Sequence, residues 1–360
     1  MFTKLSMYGL LSTLLSFLQR FKQRRIRIFF LMFAVGLGLI LAVSACSSNT
    51  SDQGTIKQKT ASASNQGSAA SGTVIRVGFQ KAGTILSVTK AKGNLEKALA
   101  ASGTSVTWTE FPSGPPMLEA ISAGSIDFGY TGESPPIFAQ AAGTPLVYVA
   151  YDPWSPKGEA ILVPKNSPIK TVADLKGKKV TFVKGSNTNY LVVKALEKAG
   201  LQYSDIKVAS LQPSDARAAF EGKNVDAWAI WDPYLAAAQK ATDARTLTDG
   251  TGLAANRGYY LAAKSFAEAH PDTLKTVLDE LKKVSDWAKS TPTEVAKFLS
   301  PALKINADVL EVAEKRRDYG VLPMTNEVIA KQQEVADAFY KIKLVPKQIN
   351  VKEIVWQGNK

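Results

Sequence analysis

Val77-Gly78-Phe79-Gln80-Lys81-Ala82-Gly83-Thr84 returns 103 residues further on as Val180-Thr181-Phe182-Val183-Lys184-Gly185-Ser186-Asn187. Each copy is a short apolar run that stops at a polar, glycine-containing loop and passes into sequence of helical period. That is the pattern of a strand, a turn and a helix opening at the strand's carboxyl end. The echo continues: Ser125-Ile126-Asp127 comes back 99 residues later as Asn224-Val225-Asp226. Each of these leads to an acid beside a proline-started helix, Glu133-Ser134-Pro135 in one half and Asp232-Pro233 in the other. Any α/β chain repeats strand–turn–helix units, but the shared order and near-constant spacing predict two similar lobes.

Outward from the echo, strands are expected at 74–79, 106–110, 126–130, 146–150, 160–163, 180–183, 207–210, 227–230 and 259–262, with helices between them. Apolar runs alternating with helical stretches predict parallel sheets covered on both faces. Beyond 263 the chain reads as nearly all helical, punctuated by Pro271, Pro292 and Pro323. The first lobe is expected at 73–156 and 251–345 and the second at 157–250. Crossovers then fall near 153–158 and 249–257, and 346–360 is left as a tail.

The chain has 360 residues, 45% of them hydrophobic and 21% charged, which suits two lobes plus a leader. A single Cys and a single His exclude a disulfide framework and a standard His/Cys zinc site. The net charge of +13 is uneven: Lys4, Arg20, Lys22, Arg24, Arg25 and Arg27 carry six charges before residue 46 with no acid beside them. The remaining 38 basic residues of 44 face 31 acids, and no basic stripe interleaved with aromatics points to nucleic acid.

After Arg27 the chain runs apolar from Ile28 to Ala45 and reaches Val43-Ser44-Ala45-Cys46. A basic region, an apolar region and small residues before a cut mark a secretory signal over 1–45. The cut before Cys46 resembles the lipobox of bacterial lipoproteins, whose thiol takes a diacylglycerol; a transmembrane anchor is the alternative for a run of this length. The Ser-, Thr-, Ala-, Gln- and Gly-rich segment 46–72 has too little apolar surface to fold and reads as a tether. The body is thus expected outside the cytoplasm, held at a membrane.

In open α/β sheets, ligands sit beyond the strands' carboxyl ends, where helix starts present free N–H groups and partial positive charge. The candidate loops are 80–84, 111–116, 131–135, 185–189, 213–217 and 231–233. Their Ser, Thr, Asn and Gly content suits a small oxyanion. Blander roles compete: Ser134 and Asp232 each precede a proline as helix caps do, and Trp231 could be core or cleft wall. Arg217 sits at a helix start that disfavours a cation unless Asp215 or a bound anion compensates it. No nucleophile elbow or His-paired Ser is present, so no catalytic residue and no cofactor or metal is assigned.

The strings QKAG (from Gln80), GSIDFGYTGESPPIFAQAAG (from Gly124), KGSN (from Lys184) and VDAWAIWDPY (from Val225) resemble those of the aliphatic sulfonate-binding proteins of bacterial ABC importers. The resemblance covers about 74–345. It implies a two-lobed type II periplasmic-binding fold, a flytrap that hands an alkanesulfonate to a membrane permease, as a monomer and without chemistry. Taurine- and nitrate-binding proteins are the neighbouring alternatives, and a tethered enzyme on the same fold a more distant one. Implied head-group contacts are Gln80, Thr131, Gly132, Ser186 and Asn187, with Thr84 as a further ligand-binding candidate whose helix-start position also suits a cap, and Trp231 as a wall for the alkyl tail. Glu133 and Asp232 are expected to orient donors or cap helices, and Arg217 to stand as a second-rank contact. Removing the Ser186 hydroxyl is expected to weaken binding by about 1–3 kcal/mol.

Overall fold

A strand covered on both faces needs neighbours on both sides, and Gly258–Ala263 and Glu159–Val163 are each buried at every position. In the computed structural model, which describes residues 72–358, these runs occupy the same place in two five-stranded sheets. The strands are β1 (Val74–Phe79), β2 (Ser105–Glu110), β3 (Phe128–Gly132), β4 (Leu146–Tyr151), β5 (Glu159–Val163), β6 (Lys179–Phe182), β7 (Lys207–Ser210), β8 (Ala227–Trp231), β9 (Arg245–Asp249) and β10 (Gly258–Ala263). The first sheet runs β2-β1-β3-β10-β4 and the second β7-β6-β8-β5-β9. The expected leader (1–45), Cys46 and all of the tether but Gly72 lie outside the described residues.

The sheets have one topology. β1 pairs in parallel with β2 and β3, and β6 in parallel with β7 and β8. Where the echo places Asp127 and Asp226, each carboxylate accepts a backbone N–H at the equivalent place of the neighbouring strand, Arg76 within β1 at 2.8 Å and Lys179 at the start of β6 at 2.7 Å. The expectation of purely parallel sheets is corrected at one strand in each. β10 runs antiparallel to β3 and β4, and β5 antiparallel to β8 and β9. Both strands enter straight from the other sheet's last strand, so they arrive from the opposite direction. β9 is additional to the expected strands; it pairs at an edge and alternates weakly.

Helices α1 (Thr84–Lys92), α2 (Asn94–Leu99), α3 (Gly114–Ser122), α4 (Ser134–Ala142), α5 (Asn187–Lys198), α6 (Pro213–Glu221) and α7 (Tyr234–Thr242) connect the strands. The chain closes with α8 (Lys264–Ala269), α9 (Pro271–Ser290), α10 (Pro292–Leu303), α11 (Ala307–Glu314) and α12 (Asn326–Lys341). α9 lays Leu274, Val277, Leu281, Val284 and Ala288 at helical spacing against α1 and α2, each a burial worth about 1–3 kcal/mol. α11 instead packs Val309 and Ala313 on Ala236 of α7, so 251–345 does not belong wholly with the first sheet. Residues 315–322 then return along the crossovers, where Tyr151 and Leu322 exchange backbone hydrogen bonds of 2.9 and 3.0 Å. The expected tail is also packed: Val351 is buried, and Trp356 N–H donates to Tyr148 O at 2.9 Å.

Candidate functional site

The carboxyl ends of β1, β3, β6 and β8 face one cavity of about 680 Å³, mouth included. Four helix starts reach it: Ala82 and Gly83 before α1, Gly114 of α3, Gly132 and Pro135 around the start of α4, and Ser186 and Asn187 at the start of α5. The first-turn N–H groups of a helix have no partner within it, so the lining is rich in donors and carries partial positive charge. The two halves meet here. Asn187 Oδ1 accepts Ser134 N–H at 3.3 Å, Asn187 Nδ2 donates to Asn256 Oδ1 at 2.8 Å, and Ser113 Oγ donates to Gln212 Oε1 at 2.9 Å. That contact needs glycine at 132, because a Cβ there would overlap the Asn187 amide; within the first sheet, a Cβ at Gly258 would overlap the Tyr130 hydroxyl.

Of the residues singled out in the sequence, Gln80, Thr131, Gly132, Ser186, Asn187 and Trp231 line the cavity. Gln80 Nε2 donates to Tyr130 O at 2.8 Å, which leaves its second hydrogen free. Ser186 is different. Its hydroxyl already donates to Val183 O at 2.6 Å, so Ser186→Ala should cost about 1 kcal/mol or less in ligand affinity rather than the larger loss expected for a free donor, a difference calorimetry resolves.

The other five stand elsewhere. Thr84 turns beneath the cavity and donates to Glu314 Oε1 at 3.0 Å. Glu133 points behind the lining and accepts the N–H groups of Asn256 and Arg257 at 3.3 and 3.2 Å. Asp232, fully buried, accepts Ala236 N–H at 3.0 Å and pairs with Arg316 at 3.3 Å, so its role is to hold α7 and the 315–322 segment. Ser134 does not cap its helix, and its hydroxyl has no partner among the described residues. Arg217 lies on the exposed face of α6 and pairs one turn on with Glu221 at 2.7 Å, which supplies the compensation its position requires.

The cations of the cavity come from segments that carry no motif. Arg257, in the second crossover, lines the wall with its guanidinium 5.4 Å from the Tyr151 ring centre. Arg317, just past α11, lines the floor and donates from Nη2 to Asp232 O at 3.0 Å. The Nε of each is buried without a partner among the described residues. Asp152, Ser155, Asn256 and Asp318 complete the polar wall, and Trp231, Pro135 and Pro153 form an apolar one.

Burial dominates the titration of the acids behind these arginines. It raises Glu133 and Glu314 to about 7 and Asp152 to about 6, against the opposing pull of Arg257 on Glu133, of Arg317 and Thr84 on Glu314, and of Tyr130 and Arg317 on Asp152. A carboxyl whose proton affinity rises on folding contributes stability below its unfolded pKa and loses it as pH climbs through its folded one. Each tenfold rise in proton affinity is worth about 1.4 kcal/mol. The ligand-free protein is therefore expected to melt several degrees higher at pH 5.5 than at pH 8, as scanning calorimetry would record.

Two mixed α/β sheets with their strand ends turned on a shared cavity are the periplasmic-binding-protein fold. Known proteins bear this out. Residues 100–295 match the family model described as NMT1/THI5 like. The alkanesulfonate-binding protein SsuA from Xanthomonas axonopodis pv. citri, solved bound to MOPS, superimposes with a TM-score of 0.76 at 40% identity over 80% of this chain and 99% of that one. The periplasmic aliphatic sulphonate binding protein SsuA from Escherichia coli gives 0.72 at 44% identity, over 80% and 93%. An Escherichia coli (strain K12) relative named for aliphatic sulfonate binding is 45% identical over 284 residues, 79% of this chain and 88% of the relative. The chain belongs to the NMT1/THI5-like family and, within it, to the aliphatic sulfonate-binding proteins.

Proposed function

We propose that this protein captures an aliphatic sulfonate between its two halves and delivers it to the membrane permease of an ABC importer, unchanged. The observation that carries this reading is a pair of arginines, 257 and 317, that line a cavity reached by four helix starts and whose Nε groups are buried without partners among the described residues. A sulfonate is a monoanion with three acceptor oxygens and no proton to donate, and charge-assisted bonds from guanidinium and backbone N–H are the strongest such a group can receive. Trp231, Pro135 and Pro153 give the alkyl tail an apolar wall.

Ligand bridges the halves only when they approach, so binding favours the closed arrangement that the permease would read. The cross-cavity bonds of Asn187 and Ser113 belong to that arrangement. Attachment through Cys46 would keep the protein at the membrane that holds the permease. The identity of relatives as binding proteins supports transport over turnover.

Thermal unfolding against alkanesulfonates, taurine, nitrate and sulfate tests the reading. At about 100 times the dissociation constant, a true ligand adds about 2.7 kcal/mol of stability. Saturable stabilisation by alkanesulfonates is the expected result, and stabilisation by nitrate or taurine alone would move the assignment to those ligands.

A further inference from the structure

Behind each arginine of the cavity stands at least one buried acid, and the acids outnumber the cations. Arg257 has Glu133 at its backbone. Arg317 is ringed by Glu314 from α11, Asp152 from the end of β4 and Asp232 from the end of β8, with Arg316 the one further cation in that ring among the described residues. Asp318 adds a carboxylate at the mouth. The remaining polar neighbours are neutral hydroxyls: Tyr130, Thr84, Tyr319, and Tyr260, which donates to Asp152 at 3.3 Å. Glu314 Oε2 and the Tyr319 hydroxyl are buried without partners among the described residues, beside a small second cavity that shares Arg317 and Asp152 with the first. An anion site built only for attraction would not surround its deepest cation with carboxylates.

Resting on the sulfonate reading, we propose that Glu314 and Asp152 are the charge-selective residues of this protein, limiting the cavity to monoanions and excluding dianions such as sulfate. Glu314 acts on the head group only through Arg317, whereas Asp152 also stands in the cavity wall; both are positioning residues. With every carboxyl ionised, the ring leaves no net positive charge for a ligand. A monoanion is accommodated when one carboxyl takes up a proton, and the raised Glu314 and Asp152 are within reach of doing so near neutral pH. A dianion would need a second uptake. Two consequences separate this from a merely structural role: monoanion binding should weaken as pH rises, and removing one carboxylate should favour dianions more than monoanions.

The test is calorimetric titration of the protein with sodium butanesulfonate and with sodium sulfate at constant ionic strength, at pH 6 and pH 8, for the natural chain, Glu314→Gln and Asp152→Asn. The natural chain is expected to bind butanesulfonate several-fold more tightly at pH 6 and to ignore sulfate. In either variant the pH effect should shrink, and the sulfate-to-butanesulfonate affinity ratio should rise by about tenfold or more. A dissociation constant equal at both pH values in the natural chain overturns the inference, as does an unchanged ratio in the variants. If Glu314→Gln does not fold, Asp152→Asn and the pH profile decide. Absence of butanesulfonate binding at both pH values would instead remove the sulfonate reading on which the inference rests.

Discussion

Arg317→Met is expected to abolish measurable butanesulfonate binding and to lower the stability of the ligand-free protein by about 3–5 kcal/mol at pH 8. Methionine matches the length of the stem but leaves Glu314, Asp152 and Asp232 together with Arg316 as the one remaining cation among the described residues. Removing one partner from a buried ionic cluster costs more than the cluster itself was worth, because the residual charges stay desolvated. The loss should be smaller at pH 6, where the raised carboxyls of Glu314 and Asp152 take up protons and relieve the repulsion. Denaturant titration at the two pH values reads this directly. A variant as stable as the natural chain at pH 8 would mean that Arg317 does not compensate these acids.

The second large effect is steric. Gly132→Ala is expected to weaken sulfonate binding by about 10- to 100-fold while leaving both sheets intact. The new methyl would occupy the space of the Asn187 amide, which joins the start of α5 to Ser134 on one side and Asn256 on the other. Overpacking of this kind costs about 1–3 kcal/mol. Because the clash is between halves, the closed arrangement bears it and the open one escapes it. Asn187→Ala in the same chain removes the obstacle, so the double variant should lose less affinity than the sum of the single ones. Additive losses in a calorimetric cycle would place the effect of Gly132 somewhere other than Asn187.

The topology was legible because the echo is physical. Asp127 and Asp226 each bind a backbone N–H of the strand beside them, Arg76 and Lys179, and that requirement leaves Ile-Asp and Val-Asp at matching places in the chain. The strand-end loops were legible for a similar reason, since a helix that opens toward a ligand needs small or polar residues there, and Gln80, Thr131, Gly132, Ser186, Asn187 and Trp231 do line the cavity. Arg257 and Arg317 were not legible as cavity residues. One lies in a crossover that resembles any surface loop. The other follows a helix far along the chain from the first loop of the site, so only the return of 315–322 along the crossovers brings it there. Arg217 drew attention through an unfavourable helix position, yet the chain resolved that locally with Glu221. Antiparallel β5 and β10 were hidden because a fully buried strand reads the same in either direction.

A crystal structure of the protein grown with butanesulfonate tests the central claim most directly. The sulfonate oxygens are expected within about 3.2 Å of guanidinium nitrogens of Arg257 or Arg317 and of backbone N–H groups at the start of α5 and of at least one first-sheet helix, with the alkyl chain against Trp231. Sulfonate density confined to one half, or lying away from both arginines, would contradict it.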